Sequence, residues 1–402
     1  MRRCNIFFFL IVILILNNCS DSPQNIVEHP RADSISVLSE LPNTLNLNES
    51  DNSDTLISSY SDSIIIKKND LMVNGFIANL LDIDTDTLGR IYVALGPENV
   101  IKVFSSSGSY LFSVGGSGRG PGEFEMLRDI YVNKDLNLLI ALDSNEIEIF
   151  DLLDDGVKHR KAIFTGMFNS SQVCAIGDNI YVNGSIITNN ADGNSISDFS
   201  QIQASKPIHQ VDIETEEVRS FGRVYKSAID YGVFNGMLSN TIISCNVETK
   251  KIIGVFGHWP LFAGYSSDDL EEQWVSGLIG IDHQIFEENT KAQTLQRKQP
   301  SEIIDRYTFL TALPNEYSLL QIGFEIPERN SIDKILEFSK MEESKLRGVL
   351  INSIDGSLIK LKPERYFYYY LGNEAAISLR AGINPMDGFD LIYKNKPIYN
   401  YE

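Results

Sequence analysis

The sequence predicts an all-β fold, a β-propeller of six four-stranded antiparallel blades with a few short helical insertions, seven blades being the alternative. Three observations predict it. One unit is written twice between residues 89 and 156, where Gly89-Arg-Ile-Tyr-Val-Ala-Leu returns as Asn137-Leu-Leu-Ile-Ala-Leu. Each copy is an apolar run, a turn, an alternating run and a second turn, which is how consecutive strands of one blade read. Runs rich in β-branched and aromatic residues, separated by Gly, Asn and Asp, then recur along the body. Openings of the same kind stand at Gly89, Asn137, Asn179 and Asn240, with degenerate successors near Asn315 and Arg347. Residues 61–402 divide on that spacing into six units of ~57 residues, within the range of blade numbers that close a ring.

Taken in order, the chain opens with Arg2 and Arg3, an apolar block at residues 6–16, and then Asn17, Asn18 and Cys19. A basic start followed by a short apolar block is an export signal, placed at residues 1–18. The block is well short of the ~20 apolar residues that a spanning helix needs. A cysteine directly after it resembles the lipobox of bacterial lipoproteins, which implies acylation of Cys19 and anchoring to a membrane. Ordinary secretion with cleavage elsewhere is the alternative. Residues 19–60 are rich in Ser, Asn, Asp and Glu, contain Pro23, Pro30 and Pro42, and have no aromatic side chain before Tyr60. Such a segment buries too little apolar surface to offset its ordering entropy, so a flexible tether is expected.

The propeller is expected over residues 61–402. Its strand-like runs include residues 63–67, 91–95, 100–104, 110–114, 129–132, 138–142, 147–150 and 179–182, followed by 210–213, 241–245, 251–256, 317–324, 348–351, 358–361 and 366–371. Helical candidates are residues 266–274, 286–296 and 331–345, read as insertions. A ring of blades must also close, and one blade commonly takes strands from both ends of the chain. Ile64, Ile65 and Ile66 are the candidates to pair with the last blade.

Composition excludes some functions. The chain has 34 basic and 54 acidic residues, and loss of Arg2 and Arg3 with the signal leaves 32 against 54, a net charge of −22. No basic stripe is present to follow a phosphate backbone, so nucleic acid is not an expected partner. Four cysteines are present, of which Cys174 and Cys245 lie in strand-like runs of the body. An exported compartment would permit a bridge between them; two separate buried thiols are the other reading.

The most distinctive segment is Val114-Gly-Gly-Ser-Gly-Arg-Gly-Pro-Gly-Glu-Phe124. It lacks the Gly-Lys-Ser/Thr that opens a helix in a phosphate loop, and it reads instead as a tight connection between blades in which Phe124 seals neighbouring sheets. With the preceding Gly-Ser-Tyr-Leu-Phe-Ser and the following Asp-Ile-Tyr-Val, it resembles the six-bladed β-propeller lipoproteins of Bacteroidota, relatives of NHL-repeat and TolB-like propellers. The resemblance is closest over residues 80–156, moderate over 200–257 and faint beyond 271. It implies the fold and an envelope location, the protein being a lipoprotein of the outer membrane, periplasmic or surface-exposed. It implies no particular activity.

Other segments carry candidate chemistry. Asp82, Asp84 and Asp86 alternate as in the first half of a calcium loop, but Thr87 and Val93 stand where such a loop has Gly and a bidentate Glu. A polar turn before a strand is the simpler reading. No cofactor is implied beyond this candidate for calcium, and no metal-binding set stands out among His29, His159, His209, His258 and His283, none of which pair at metal-ligand spacing. His258, Trp259 and the nearby Trp274 form one aromatic stretch, a candidate binding surface if exposed, together with Arg119 and Glu123 of the glycine-rich loop. No catalytic residue is assigned. The reading is therefore a binding or scaffolding propeller for a protein, peptide or glycan, with no catalysis inferred and the oligomeric state open, a monomer being favoured. The alternative is a metal-dependent propeller hydrolase or lyase, lactonase-like or amidating-lyase-like, working in the central funnel.

Overall fold

The computed structural model describes residues 26–28, 41–49, 55–66, 71, 79–96, 98–186, 206–226, 239–281, 286–289, 294–297, 304–325, 346–363, 367–381, 389–399 and 401. The fold is a six-bladed propeller of four-stranded antiparallel sheets. Blade 1 comprises Asn79–Thr85, Ile91–Gly96, Val100–Phe104 and Tyr110–Gly115, and blade 2 comprises Leu127–Asn133, Leu138–Asp143, Glu146–Leu153 and Gly156–Phe164. Blade 3 comprises Val173–Ile176, Asn179–Asn183, Ile208–Asp212 and Val218–Phe221, and blade 4 Thr241–Asn246, Lys251–Phe256, Leu261–Ser266 and Glu272–Ile279. Blade 5 is built from Ile304–Ala312, Tyr317–Glu325, Arg347–Asn352 and Leu358–Lys360. Blade 6 uses Phe367–Leu371, Ala375–Ala381 and Phe389–Asn395, and takes its outermost strand, Asp62–Ile66, from the other end of the chain. Ile64, Ile65 and Ile66 stand opposite Tyr393, Ile392 and Leu391, the closure expected of them. The innermost strands touch in the order 1, 2, 3, 4, 5, 6 and back to 1.

Side-chain alternation explains why the second strand of each blade reads as an unbroken apolar run. In Leu138–Asp143 all six residues are buried. Leu139 and Ala141 pack toward blade 1 beside Tyr92, Ala94 and Phe124, while Leu138, Ile140 and Leu142 pack toward blade 3 beside Ile180 and Val182. A sheet covered on both faces needs apolar side chains at both parities. Among the described residues the hydrophobic core is accordingly divided into six clusters, each lying between two neighbouring blades. Outer strands face water on one side, and in Gly156–Phe164 half-buried and exposed positions interleave, with Ile163 buried.

Several expectations change. The tether expected over residues 19–60 meets the body early: Asn43–Asn46 runs parallel to the outer strand of blade 4, as a fifth strand, with Leu45 opposite Leu278. Leu47 is buried between blades 4 and 5, Leu56 between blades 5 and 6, and Lys360 Nζ donates to the Leu47 carbonyl at 2.8 Å. The apolar residues of this segment find partners on the ring that composition does not reveal. The helical candidate at 266–274 is a turn leading into the strand Glu272–Ile279, and that at 286–296 contains the antiparallel strands Phe286–Asn289 and Thr294–Arg297. Residues 331–345 lie outside the described residues, as do the signal segment 1–18 and Cys19. Arg347 opens the third strand of blade 5, not a new blade, and the sixth unit turns at Asn373 instead.

Candidate functional site

The six innermost strands enclose an axial channel of about 990 Å³. Its wall has two sides of different chemistry. Blades 1 and 2 contribute Asp82, Asp84, Asp129, Tyr131, Lys134 and Asp135; blades 5 and 6 contribute Phe309, Thr311, Tyr369, Tyr370 and Glu374. Asp82 and Asp84 share one face of their strand because strand side chains repeat every second residue. The internal repeat carries Asp82 onto Asp129, 47 residues later, so two neighbouring blades present a carboxyl at the same level.

Polar contacts tie the axial ends of blades 1 to 5 to one another. Asp84 Oδ2 accepts from the Val132 amide at 2.6 Å, Asp129 Oδ2 from the Val173 amide at 2.7 Å, and Gln172 Oε1 from the Ile243 amide at 2.8 Å. Asn133 Nδ2 donates to the Gly177 carbonyl at 2.8 Å, and Asn246 Nδ2 to the Asn315 carbonyl at 2.7 Å. Between blades 3 and 4 the link is covalent, a Cys174–Cys245 disulfide joining their innermost strands. Inner-strand amides that face a neighbouring blade lack a ladder partner, and buried amides of that kind need an acceptor.

The electrostatics centre on the carboxyls. Asp82 and Asp129 stand on adjacent inner strands and both line the channel, where their like charges oppose one another. Burial raises Asp82 well above the ordinary carboxylate range, and the neighbouring Asp129 and Asp84 charges raise it further. Burial also pushes Asp129 up to about 7, against the pull of the Val173 amide, and Asp84 up to about 6, against the pull of Lys134 and two backbone amides. Lys134 Nζ lies 2.5 Å from the Tyr370 hydroxyl, 3.2 Å from Thr85 Oγ1 and 4.8 Å from the Tyr370 ring centre. Across the channel Phe309 and Tyr369 have ring centres 4.4 Å apart.

A stability prediction follows with a definite sign. The unfolded chain releases its aspartate protons near pH 4, whereas in the folded chain burial holds Asp129 up to about 7 and Asp82 well above the ordinary carboxylate range. Above pH 4 the native state therefore binds more protons than the unfolded state, and this pair removes stability as pH rises from 4 to 7. Asp129→Asn keeps an acceptor for the Val173 amide and removes the like charge. It is expected to raise unfolding free energy by on the order of 1–3 kcal/mol at pH 8, with little change at pH 4, in urea titrations at the two pH values.

Asp86, the third acid of the alternating run, belongs to the turn and not to the channel's acid pair. Its carboxylate accepts from the Leu88 and Arg90 amides, from Arg90 Nε at 2.5 Å and from the Tyr92 hydroxyl at 3.0 Å. Arg90 in turn donates to the Leu153 carbonyl of blade 2 at 2.7 Å. The expected polar turn is thus residues 86–89, while Asp82 and Asp84 are strand residues of the axial wall. Among the described residues no group of three His, Cys, Asp or Glu side chains is arranged to hold a metal ion.

The five residues singled out for binding do not converge, and none lines the channel. Trp259 and Trp274 are each only 8% exposed and belong to the core, Trp274 donating through Nε1 to the Ser353 carbonyl at 2.9 Å, so they are not surface anchors. His258 adjoins Trp259 in the turn after Lys251–Phe256. Arg119 and Glu123 lie in the loop between blades 1 and 2, Arg119 pairing with Glu125 and Glu123 accepting from the Gly120 amide at 2.8 Å. Phe124 at the end of that loop is fully buried against Phe150. His209 is buried, held down to about pH 4 by desolvation, and donates to the Gly184 carbonyl. His159, on the outermost strand of blade 2, meets the Glu148 carboxyl at 2.6 Å.

Residues 76–182, covering blades 1 and 2 and the start of blade 3, match a family model, DUF5128, described as a 6-bladed beta-propeller. Among solved structures the chain is similar to a candidate exported protein of Bacteroides fragilis, at 11% identity and a TM-score of 0.51 over 87% of this chain and 98% of that one. It is also similar to a member of the DUF4221 family from Bacteroides vulgatus, at 11% identity and a TM-score of 0.49 over 86% of this chain and 98% of that one. At these identities the likeness concerns the fold alone. No curated protein matches the chain in sequence.

Proposed function

We propose that this chain is an exported binding or scaffolding propeller, anchored to the outer membrane through a lipid on Cys19, and that its axial channel is where it takes a ligand without altering it. The channel carries this reading: about 990 Å³ bounded by carboxyls on one side and aromatic rings on the other, enough for a small molecule or one inserted side chain of a partner protein. Two further observations support export. The chain opens with the basic residues and short apolar block of a signal ahead of Cys19. The Cys174–Cys245 disulfide suits an oxidising compartment. The metal-dependent alternative would need ligands converging on the axis, and the described residues offer no such group.

Two measurements test the halves separately. Mass spectrometry of the mature protein should find its N-terminus at Cys19 with acyl chains attached; an unmodified terminus elsewhere removes the anchor. Native mass spectrometry of protein taken from its own envelope should find a bound compound whose mass is unchanged after prolonged incubation. Conversion of that compound to a product would overturn the non-catalytic reading.

A further inference from the structure

We infer that the propeller stands on its outer rim at the seam between blades 3 and 4, with the bilayer that holds the anchor as the partner of that surface. This rests on Cys19 being the anchored residue and adds which side of the body meets the membrane.

The segment ahead of the propeller is a belt along its rim. It sets an apolar side chain at three successive seams: Leu41 packs on the cluster between blades 3 and 4, Leu47 lies between blades 4 and 5, and Leu56 between blades 5 and 6. Backbone pairing fixes the same course. Asn43–Asn46 runs beside the outermost strand of blade 4, Ile57–Ser59 pairs with Ile398–Tyr399, and Asp62–Ile66 completes blade 6. Leu47 and Leu56 are both buried, and exposing a buried leucine costs about 1.5–3 kcal/mol. The belt therefore belongs to the body and not to the leash.

At its start the belt reaches the seam between blades 3 and 4. Ile26–Glu28 pairs in parallel with Val224–Lys226, the segment that follows the outermost strand of blade 3. Phe221, at the end of that strand, belongs to the cluster between blades 3 and 4, and Arg223 pairs with Glu272 on the outermost strand of blade 4. Six residues separate Cys19 from Ile26. Even fully extended, they hold the acylated residue within about 25 Å of this rim. A tether running the whole of residues 19–60 would reach roughly 140 Å and leave the body free to turn.

The two lengths decide the orientation. A body of this size is roughly 50 Å across, about twice the leash, so the opposite rim at blades 6 and 1 cannot be the one that rests on the lipid. Nor does charge draw a whole face of the ring down. With a formal net charge of −20 the chain has no broad attraction for lipid headgroups, and only the leash pulls, at this rim. Arg219 and Ser220, exposed on the outermost strand of blade 3, then face the bilayer. The axial channel is held off it by at least the width of one four-stranded blade, roughly 15–20 Å, and takes its ligand from water.

The test is energy transfer in phosphatidylcholine vesicles carrying the whole mature protein, from one fluorophore on the protein to acceptors on the lipid headgroups. The fluorophore is placed by Arg219→Cys at the near rim or by Ser107→Cys at the far one, where a Cβ on the adjoining Gly108 would lie 3.1 Å from Ile64 of blade 6. Both replaced side chains are exposed, and the bonded Cys174 and Cys245 leave no competing thiol in the body. Transfer from position 219 is expected to be about threefold more efficient than from position 107. Thirty Gly/Ser residues inserted between Pro23 and Gln24 should bring the ratio below about 1.5, because such a leash no longer limits rotation. Equal transfer from the two positions in the parent, the result for a ring lying flat or tumbling, overturns the inference and leaves the anchor standing. A ratio that survives the insertion overturns it too, since the leash would not then be its cause. Protein that does not attach to the vesicles overturns both readings.

Discussion

Replacing Cys174 and Cys245 together by alanine is expected to lower the unfolding free energy by about 4 kcal/mol, the figure for closing a loop of this length in the denatured chain. The two cysteines are separated by 71 positions in sequence, so their bond removes much of the freedom of the segment that forms most of blade 3 and enters blade 4. In the native ring the same bond fixes the innermost strands of those blades to each other, where Asp129 and Gln172 supply only hydrogen bonds at the neighbouring positions. Both sulfurs are buried, the residues being 5% and 3% exposed, so reductant should act only as the ring opens. Equilibrium denaturation of the oxidised parent and the double variant measures the difference directly. A change below about 1 kcal/mol would mean that the bond is not formed in the folded protein.

Phe124→Ala is expected to cost about 3–5 kcal/mol, the range for removing a fully buried aromatic ring. The ring closes the seam between blades 1 and 2, set edge-on to Phe150 and packed with Tyr92, Val103 and Leu139. It lies where a side chain at Gly115 would be: a Cβ there would stand 2.1 Å from the ring, on a backbone with φ of +74 to +76 shared by Gly89, Gly115, Gly122 and Gly356. Gly115→Ala should thus be severely destabilising alone, through both the clash and the left-handed backbone. In the Phe124→Ala background the clash is gone and only the backbone cost of about 1–2 kcal/mol should remain. A double-mutant cycle reads this coupling, and additive costs would show that the two positions do not share the space.

These two sites differ in how far they could be read beforehand. The glycine-rich loop displays its structural role in sequence: positive-φ glycines followed by an aromatic residue at the edge of a repeated strand pattern indicate a tight connection that buries the ring. The disulfide does not, because residues so far apart in sequence come within 5.7 Å, Cα to Cα, only when the inner strands of adjacent blades are placed side by side. The candidate site divides similarly. Asp82 and Asp84 were legible as acids at alternating positions, yet their surroundings read as a polar turn, and Asp129 stood in a strand-like run with nothing to single it out until the blades are placed side by side. Trp259 and Trp274 could be read as core residues or as exposed anchors, because an insertion and a core strand with a buried indole read alike when the neighbouring blade is not seen. Local pattern reports which parity of a strand is apolar; it does not report which other strand covers it.

The sequence by itself determined the propeller, through a repeat whose strand-length apolar runs can be buried only by stacking sheet against sheet, and it also placed Ile64, Ile65 and Ile66 in the closing blade. The tertiary structure alone decided where the acids meet the aromatic rings, that Cys174 reaches Cys245, and that residues 43–47 lie along the rim. The physical reason is that strand formation depends on near neighbours, whereas the desolvation and pairing of a carboxyl, a thiol or an indole depend on groups that only ring closure brings into contact.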